Sequence, residues 1–327
     1  MQVGRRSLLG TIVALYVAQV VVVAILIDRL GDVWWPATVL MFAPRWIWAV
    51  PLGVLVPLAL RRGHRAHLVP LCAAAVVLLG PILDLRLPLQ RLGRRGIPRD
   101  LRVMTFNMGG GHVDPAAIDA LVAEQAPDVV AIQEREGAFV VGSLNMNCHI
   151  GMCLASRFPI KTIDRRDDRD LRAQHGSGGI MRYDLETPRG MVSFTNVHLA
   201  TTRDGLSAVM HSAWKGGPAL AARSRERGLE AEIARDWSAR SSAPSLVAGD
   251  FNTPVESAVY RRTWSPFTNA FSTAGLGFGS TKHTRWHGVR IDHILAGPGW
   301  EVLRAWVGPD LGGDHRPMFA DLRLTAP

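Results

Sequence analysis

The 327 residues hold 37 basic and 28 acidic side chains, a net charge of +9 with histidine neutral. The excess sits in residues 1–99, which contain twelve Arg, no Lys and only Asp28, Asp32 and Asp84 as acids. Residues 100–327 are formally neutral, so the basic character of the chain is not the footprint of a nucleic-acid-binding domain, and three Cys without a C-x-x-C pair exclude a zinc module.

In chain order, Leu8–Ile27 is the first element, a run of about twenty mostly apolar residues that is long enough to cross a hydrocarbon core. A second span is predicted near Trp46–Leu60, interrupted by Pro51 and Pro57, and a third near Leu68–Leu85. Trp34, Trp35, Trp46 and Trp48 read as an interfacial aromatic belt. Arg5 and Arg6 precede the first span, but no small-x-small cleavage site follows it, which favours a retained helix over a removed leader. That flank and the basic turn Arg61–Arg65 place the N-terminus inside and the C-terminal part outside the cytoplasmic membrane. The full count, five Arg inside against seven outside, does not itself follow the positive-inside rule.

Cys72 falls in the third span and reads as a packed small apolar residue. Spacing leaves open whether Cys148 and Cys153 pair in an oxidising compartment. The chain divides into a membrane anchor (1–85), an Arg-, Pro- and Gly-rich linker (86–100) and a C-terminal domain (101–327). A linker of that length reaches at most about 50 Å, so the domain works close to the bilayer.

Strands are predicted at Leu101–Phe106, Val129–Gln133, Ile180–Leu185, Met191–Val197, Leu246–Ala248, Ile291–Leu295 and Met318–Leu324. Thr187-Pro-Arg-Gly190 marks a hairpin, Pro115–Gln125 a helix with Ile118, Leu121 and Val122 on one face, and Arg223–Arg240 a charged helix. Arg223, Arg225 and Arg227 read as a solvated face. Thr201–Ala222, Gly-rich and carrying Met210, Trp214 and Lys215, is either a substrate-side loop or a mobile insertion. Two face-to-face sheets with helices outside are the expected architecture.

Six of these apolar runs deliver polar residues to their ends: Asn107, Gln133-Glu134, Asn196-Val-His198, Gly249-Asp250-Phe-Asn252, Asp292 and Gly313-Asp314-His315. A rigid strand running out into a loop combines fixed geometry with access for a ligand. Glu134 ends an otherwise apolar strand, so its charge calls for solvent, a partner or a hard cation. Asp250 and Asn252 face the same way if the chain stays extended, and would converge on one water. A carboxylate holding an imidazole keeps it oriented and protonated.

In this order the motifs resemble the endonuclease/exonuclease/phosphatase superfamily over about residues 100–327. The resemblance extends to membrane-anchored bacterial members such as the VanJ-like group. It implies an α/β four-layer sandwich of two packed mixed β-sheets flanked by helices, here preceded by about three transmembrane helices. It also implies a Mg²⁺-dependent phosphoesterase, with Mn²⁺ as the alternative ion. The metal residues would be Glu134, Asn107 (a neutral oxygen donor) and Asp314. The catalytic set would be Asn107, His198, Asp250, Asn252, Asp292 and His315, with Asp292 holding His315 and Asn252 donating to a phosphate oxygen. Arg290 would support the site. Asn269-Ala-Phe stands where family members often carry Asp-Ala-aromatic. The lipid bilayer is the expected partner and a phosphorylated lipid the favoured substrate, with nucleic acid as the alternative and no protein partner inferred.

Overall fold

Strands buried on both faces need a covering layer on each side, and the C-terminal part of this chain is built on that requirement. The computed structural model describes residues 2–61, 63–89, 96–109, 113–135, 140–166 and 179–325. The chain forms two compact units, Met1–Leu85 with Glu256–Val259, and Arg86–Val255 with Tyr260–Pro327.

In the larger unit the described strands are β1 (Leu101–Asn107), β2 (Val129–Gln133), β3 (Asn145–His149), β4 (Met152–Ser156), β5 (Ile160–Arg166), β6 (Gly179–Thr187) and β7 (Gly190–His198). They continue with β8 (Ser245–Asp250), β9 (Thr268–Asn269), β10 (Lys282–His283), β11 (Gly288–Val289), β12 (Asp292–Ala296), β13 (Trp300–Val307) and β14 (Met318–Leu324). One six-stranded sheet runs β13-β14-β1-β2-β4-β3 and the other β5-β6-β7-β8-β12-β9, with β10 and β11 as a separate ribbon. Both large sheets are mixed: β1–β2 and β7–β8 are parallel pairs among antiparallel neighbours.

Period-two alternation sorts each strand between two cores. Val103, Val129, Ala131 and Leu154 of the first sheet meet Tyr183, Phe194, Leu246 and Ile294 of the second. The intervening residues Met104, Phe106, Val130 and Ile132 face Ile118, Leu121 and Val122 of helix Pro115–Gln125. On the far side Val197, Val247 and Leu295 face Ala231, Ala234 and Trp237 of helix Gly217–Ser238. Helix, sheet, sheet, helix is therefore the order of layers, as expected. The sequence reading missed β3, β4, β5, β9, β10, β11 and β13. β9, β10 and β11 are two residues each, and polar residues interrupt β3, β5 and β13, so none of these six forms a long apolar run.

Three other expectations change. Thr201–Ala222 is neither a loop nor an insertion but a helical hairpin, Arg203–Ser212 followed by a short turn and the start of Gly217–Ser238. Its glycines are contact points: a Cβ on Gly205 would stand 2.6 Å from the Leu220 Cα, and one on Gly216 would stand 2.3 Å from the Ala208 carbonyl carbon. Arg227 is not on a solvated face but buried, donating to the Asn252 carbonyl and to Thr202 Oγ1. The stretch read as a linker is tied at both ends, Arg86 pairing through both backbone groups with Gly277 and the Asp100 N–H donating to Leu322 O. Residues 90–95 of that stretch lie outside the described residues.

In the smaller unit Gln2–Leu30 is a single helix, and Leu8–Leu30 is long and apolar enough to cross a membrane. So is Arg65–Ile82. The middle element, expected as the second span near Trp46–Leu60, is a pair of helical segments, Trp35–Phe42 and Arg45–Leu60, bent by 83° where Pro44 removes a backbone donor; together they are long and apolar enough for one broken span or a re-entrant loop. The helices pack through Val13, Val20, Ile27, Met41, Leu71 and Leu78. Cys72 lies on the exposed face rather than in that packing, one position away from buried Leu71.

Candidate active site

Three neighbouring strands of the second sheet end at one level. The register places His198 of β7 beside Asp250 of β8, and Asp250 beside Asp292 of β12. In the first sheet Asn107 of β1 lies beside Gln133 of β2, so Glu134 is the first residue beyond that strand. Gly249 makes the β7–β8 approach feasible. Its φ is +148°, and a Cβ there would fall 1.8 Å from the Val197 carbonyl oxygen.

The two strand ends converge. Asn107 Nδ2 donates to Glu134 Oε1 and to Asp250 Oδ2, each at 2.9 Å, and so joins the two sheets. Behind it Gln133 Nε2 donates to Asn196 Oδ1 at 2.7 Å, while Asn196 Nδ2 donates to the carbonyls of Ile132 and Cys153. All three side chains are buried. His198 Nε2 lies 3.4 Å from Glu134 Oε1 and 3.9 Å from Asp250 Oδ2. His315, from the loop between β13 and β14, sets Nδ1 2.8 Å from Asp292 Oδ2 and Nε2 3.7 Å from Asp250 Oδ2. Thr281 Oγ1 fixes the chain at this point by accepting the N–H groups of Ile291 and Asp292.

Charges follow this geometry. Glu134 is held down at about 2, chiefly by its hydrogen bond to His198 and then by that from Asn107, against the effect of partial burial. Burial alone would lower His315, but Asp292 and then Asp250 overcome it and raise the imidazole to about 9. His198 is raised in the same way, with burial opposed by Glu134 and Asp250. Asp250 moves up, first through burial and then through the charge of Asp292, against the pull of His315 and His198.

Five of the expected residues, Glu134, His198, Asp250, Asp292 and His315, thus meet in one cluster. The other three differ in detail. Asn107 presents its amide nitrogen, not its oxygen, to the carboxylates, because the oxygen accepts the Gly109 N–H at 2.8 Å. Asn252 does not continue an extended chain. Its φ is +49°, its N–H donates to Asp250 Oδ1 at 2.8 Å and its amide donates to Leu199 O at 2.8 Å. The pair is an Asx turn that orients the Asp250 carboxylate. Asp314 stands at the rim, where its carboxylate pairs with Lys282 and lies 3.6 Å from Arg203 Nη2. Burial tends to raise Asp314, but Lys282 and the other cations lower it. A depression of about 420 Å³, lined by Gly109, Glu134, Arg203, Gly312, Gly313 and Asp314, opens beside the cluster.

Arg290 and Asn269 are elsewhere. Arg290 stacks over Phe271 and donates to Ser272 Oγ, while Asn269 caps helix Ala270–Ala274 and donates to Tyr260 Oη. Residues that sequence reasoning did not single out complete the surroundings. Lys282 bridges directly across from His315, so both project to one side. Buried Glu230 accepts the Ala200 N–H at 2.6 Å, just beyond β7. Nothing in a helical run of Arg and Glu distinguishes Arg227 and Glu230 from their exposed neighbours.

The donor set suits a hard divalent cation. Ligand atoms of Glu134, His198 and Asp250 lie within 4.8 Å of one another, as do those of Asp250, Asp292 and His315. The hydrogen bonds from one Asn107 amide also bring two carboxylate oxygens together. Strand-end carboxylates, an imidazole–carboxylate pair and such a donor set define a phosphoesterase-type centre.

Residues 104–315 match the endonuclease/exonuclease/phosphatase family, and the chain belongs to it. Members of that family are metal-dependent hydrolases of phosphoester bonds. Solved structures show the same fold. An endonuclease/exonuclease/phosphatase protein from Beutenbergia cavernae is 18% identical, covering 70% of this chain and 72% of its own, with a TM-score of 0.50. TDP2 of D. rerio, complexed with a single-strand DNA product, is 13% identical over 68% and 98%, with a TM-score of 0.52. A mannosyl-6-phosphatase of Bacteroides thetaiotaomicron is 15% identical over 68% and 99%, with a TM-score of 0.50. Comparison with curated proteins by sequence finds no match.

Proposed function

We propose that the chain is a membrane-anchored, Mg²⁺-dependent phosphoesterase that hydrolyses a phosphorylated membrane lipid: an isoprenoid diphosphate, a phospholipid or a sphingomyelin-like lipid. The observation that carries this reading is one chain joining the Glu134–His198–Asp250–Asp292–His315 cluster to helices long and apolar enough to span a bilayer. Formal neutrality of residues 100–327 favours a lipid headgroup over a polyanionic nucleic acid.

Glu134, kept ionised, is the principal residue that would hold the cation, with Asp250 beside it. Bound there, a divalent cation supplies charge stabilisation for phosphoryl oxygens. Asp250, aimed by the Asn252 N–H and the Asn107 amide, orients the attacking water and takes its proton. The imidazolium of His315, held by Asp292, and that of His198 donate to phosphoryl oxygens as the bond to the leaving oxygen breaks. Two observations support an extracytoplasmic domain: the Arg5-Arg6 flank, and the Cys148–Cys153 disulfide between β3 and β4, since such bonds persist in oxidising compartments.

The test is a panel of lipid diphosphates, phospholipids, sphingomyelin and plasmid DNA, offered with Mg²⁺ to the full chain in detergent. Hydrolysis of a lipid phosphate is expected, abolished by chelator and reduced by orders of magnitude in Glu134→Gln. Robust DNA cleavage with every lipid left intact replaces this reading with a surface nuclease. Turnover that survives chelator removes the metal dependence.

A further inference from the structure

The catalytic unit carries an apolar face of its own where the chain enters it. Arg86 and Gly277 form an antiparallel bridge, each N–H donating to the other's carbonyl at 2.9 Å. Leu87 and Leu276 adjoin that bridged pair, and Phe278 directly follows Gly277.

These side chains are exposed rather than packed: Leu87 by 63%, Leu276 by 65% and Phe278 by 47%, with Leu89 exposed by 70% two residues on. Scattered exposed apolar residues are normal, but a contiguous set is the mark of an interaction surface. From Gly275 to Thr281 the chain holds no charged residue, and from Leu85 to Arg99 it holds five Arg and no acid.

We infer that Leu87, Leu276 and Phe278 form a seat that rests the catalytic unit on an anionic phospholipid surface. Chain length identifies the occupant. The second apolar helix ends at Ile82, four residues before Arg86, so the bridge lies within about 14 Å of that end even if the chain is fully extended. A chain that leaves a membrane-spanning helix at Ile82 emerges among headgroups and upper acyl chains, and the Arg-rich sequence that follows suits their phosphates. Lys282, at the rim of the site, follows Phe278 by four residues. Seating that face would bring the rim to the lipid headgroups, which is how the fold would present a membrane-held phosphate to the cluster. The inference rests on reading the N-terminal helices as membrane spans.

The experiment uses the full chain with Cys72→Ser, reconstituted in vesicles containing phosphatidylglycerol. A fluorophore is placed singly at Leu276→Cys, Phe278→Cys and, within the first apolar helix, Val22→Cys, which is also exposed. Lipids spin-labelled near the headgroup should quench the probes at 276 and 278. Aqueous iodide should quench them severalfold less than it quenches free dye, and high salt should weaken the contact. Quenching by lipid at 22 but not at 276 or 278 overturns the seat while leaving the anchor intact. Shielding from iodide without lipid quenching means that protein covers the face, and also overturns it. Absence of lipid quenching at all three positions removes both the seat and the anchor.

Discussion

The buried His315–Asp292 pair makes folding of this protein sensitive to pH. His315 is raised from 6.5 to about 9 in the folded chain, and His198 moves in the same direction. A group whose pKa is raised on folding binds its proton more tightly in the native state. Its stabilisation is fully present below the unfolded value of 6.5 and is lost as pH rises through about 9. Glu134 has the opposite sign: lowered from 4.5 to about 2, it stabilises above 4.5 and loses that contribution as pH falls towards 2. Chelator-treated full chain in detergent should therefore melt at progressively lower temperature from about pH 6.5 to pH 9. Asp292→Asn should flatten most of that slope. A wild-type melting temperature constant over this window, or an equal slope in the variant, would remove the imidazolium–carboxylate account. Of the residues in the cluster, Glu134, His198, Asp250 and Asp292 were legible as polar groups at the ends of apolar strands, and His315, in a loop, through its Gly-Asp-His motif. Arg227, Glu230 and Lys282 were not, since their roles depend on which way a helix or ribbon turns.

At the scale of elements, the β7–β8 pairing carries the site. His198 and Asp250 are abreast only because Gly249 lets β8 approach Val197, at a backbone φ that residues with a Cβ rarely adopt. Gly249→Ala should destabilise the protein by about 3 kcal/mol or more and abolish activity, measured by thermal unfolding and by turnover of whichever substrate the panel identifies. A variant with near-native melting and activity would show that the strands can part without losing the register. The central strands were predictable because burial on both faces leaves continuous apolar runs. The helical hairpin was not, because Gly205 and Gly216 read as loop signals until Leu220 and the Ala208 carbonyl are seen beside them.

For the whole molecule, the proposed division puts chemistry in the neutral C-terminal part and membrane attachment in the basic N-terminal third. Three crossings with the N-terminus inside would place residues 101–327 outside the cytoplasm, consistent with an oxidised Cys148–Cys153 pair. A reporter that functions only outside the cytoplasm, fused after Pro327, should be active in cells, and a cytoplasm-only reporter silent. The reverse pattern would invert the topology and confine the enzyme to cytoplasmic-leaflet substrates. The 83° bend between Trp35–Phe42 and Arg45–Leu60 is where the count of crossings is decided, since that pair passes once as a broken span or not at all as a re-entrant segment.

Sequence by itself determined what depends on local pattern: the apolar N-terminal helices, the strands buried on both faces and the polar residues at their ends. These follow from periodicity, length and the cost of burying an unpaired charge. Only the tertiary structure decided what depends on partners distant in the chain. The Asn107 amide reaches Glu134 across 27 residues of sequence and Asp250 across 143, and the Asn252 N–H turns back on Asp250. Asp314 answers to Lys282 and Arg203, which lie far from it in the sequence. Register, side-chain direction and the choice among competing hydrogen-bond partners are set by packing of whole sheets and helices, and no local window of residues contains them.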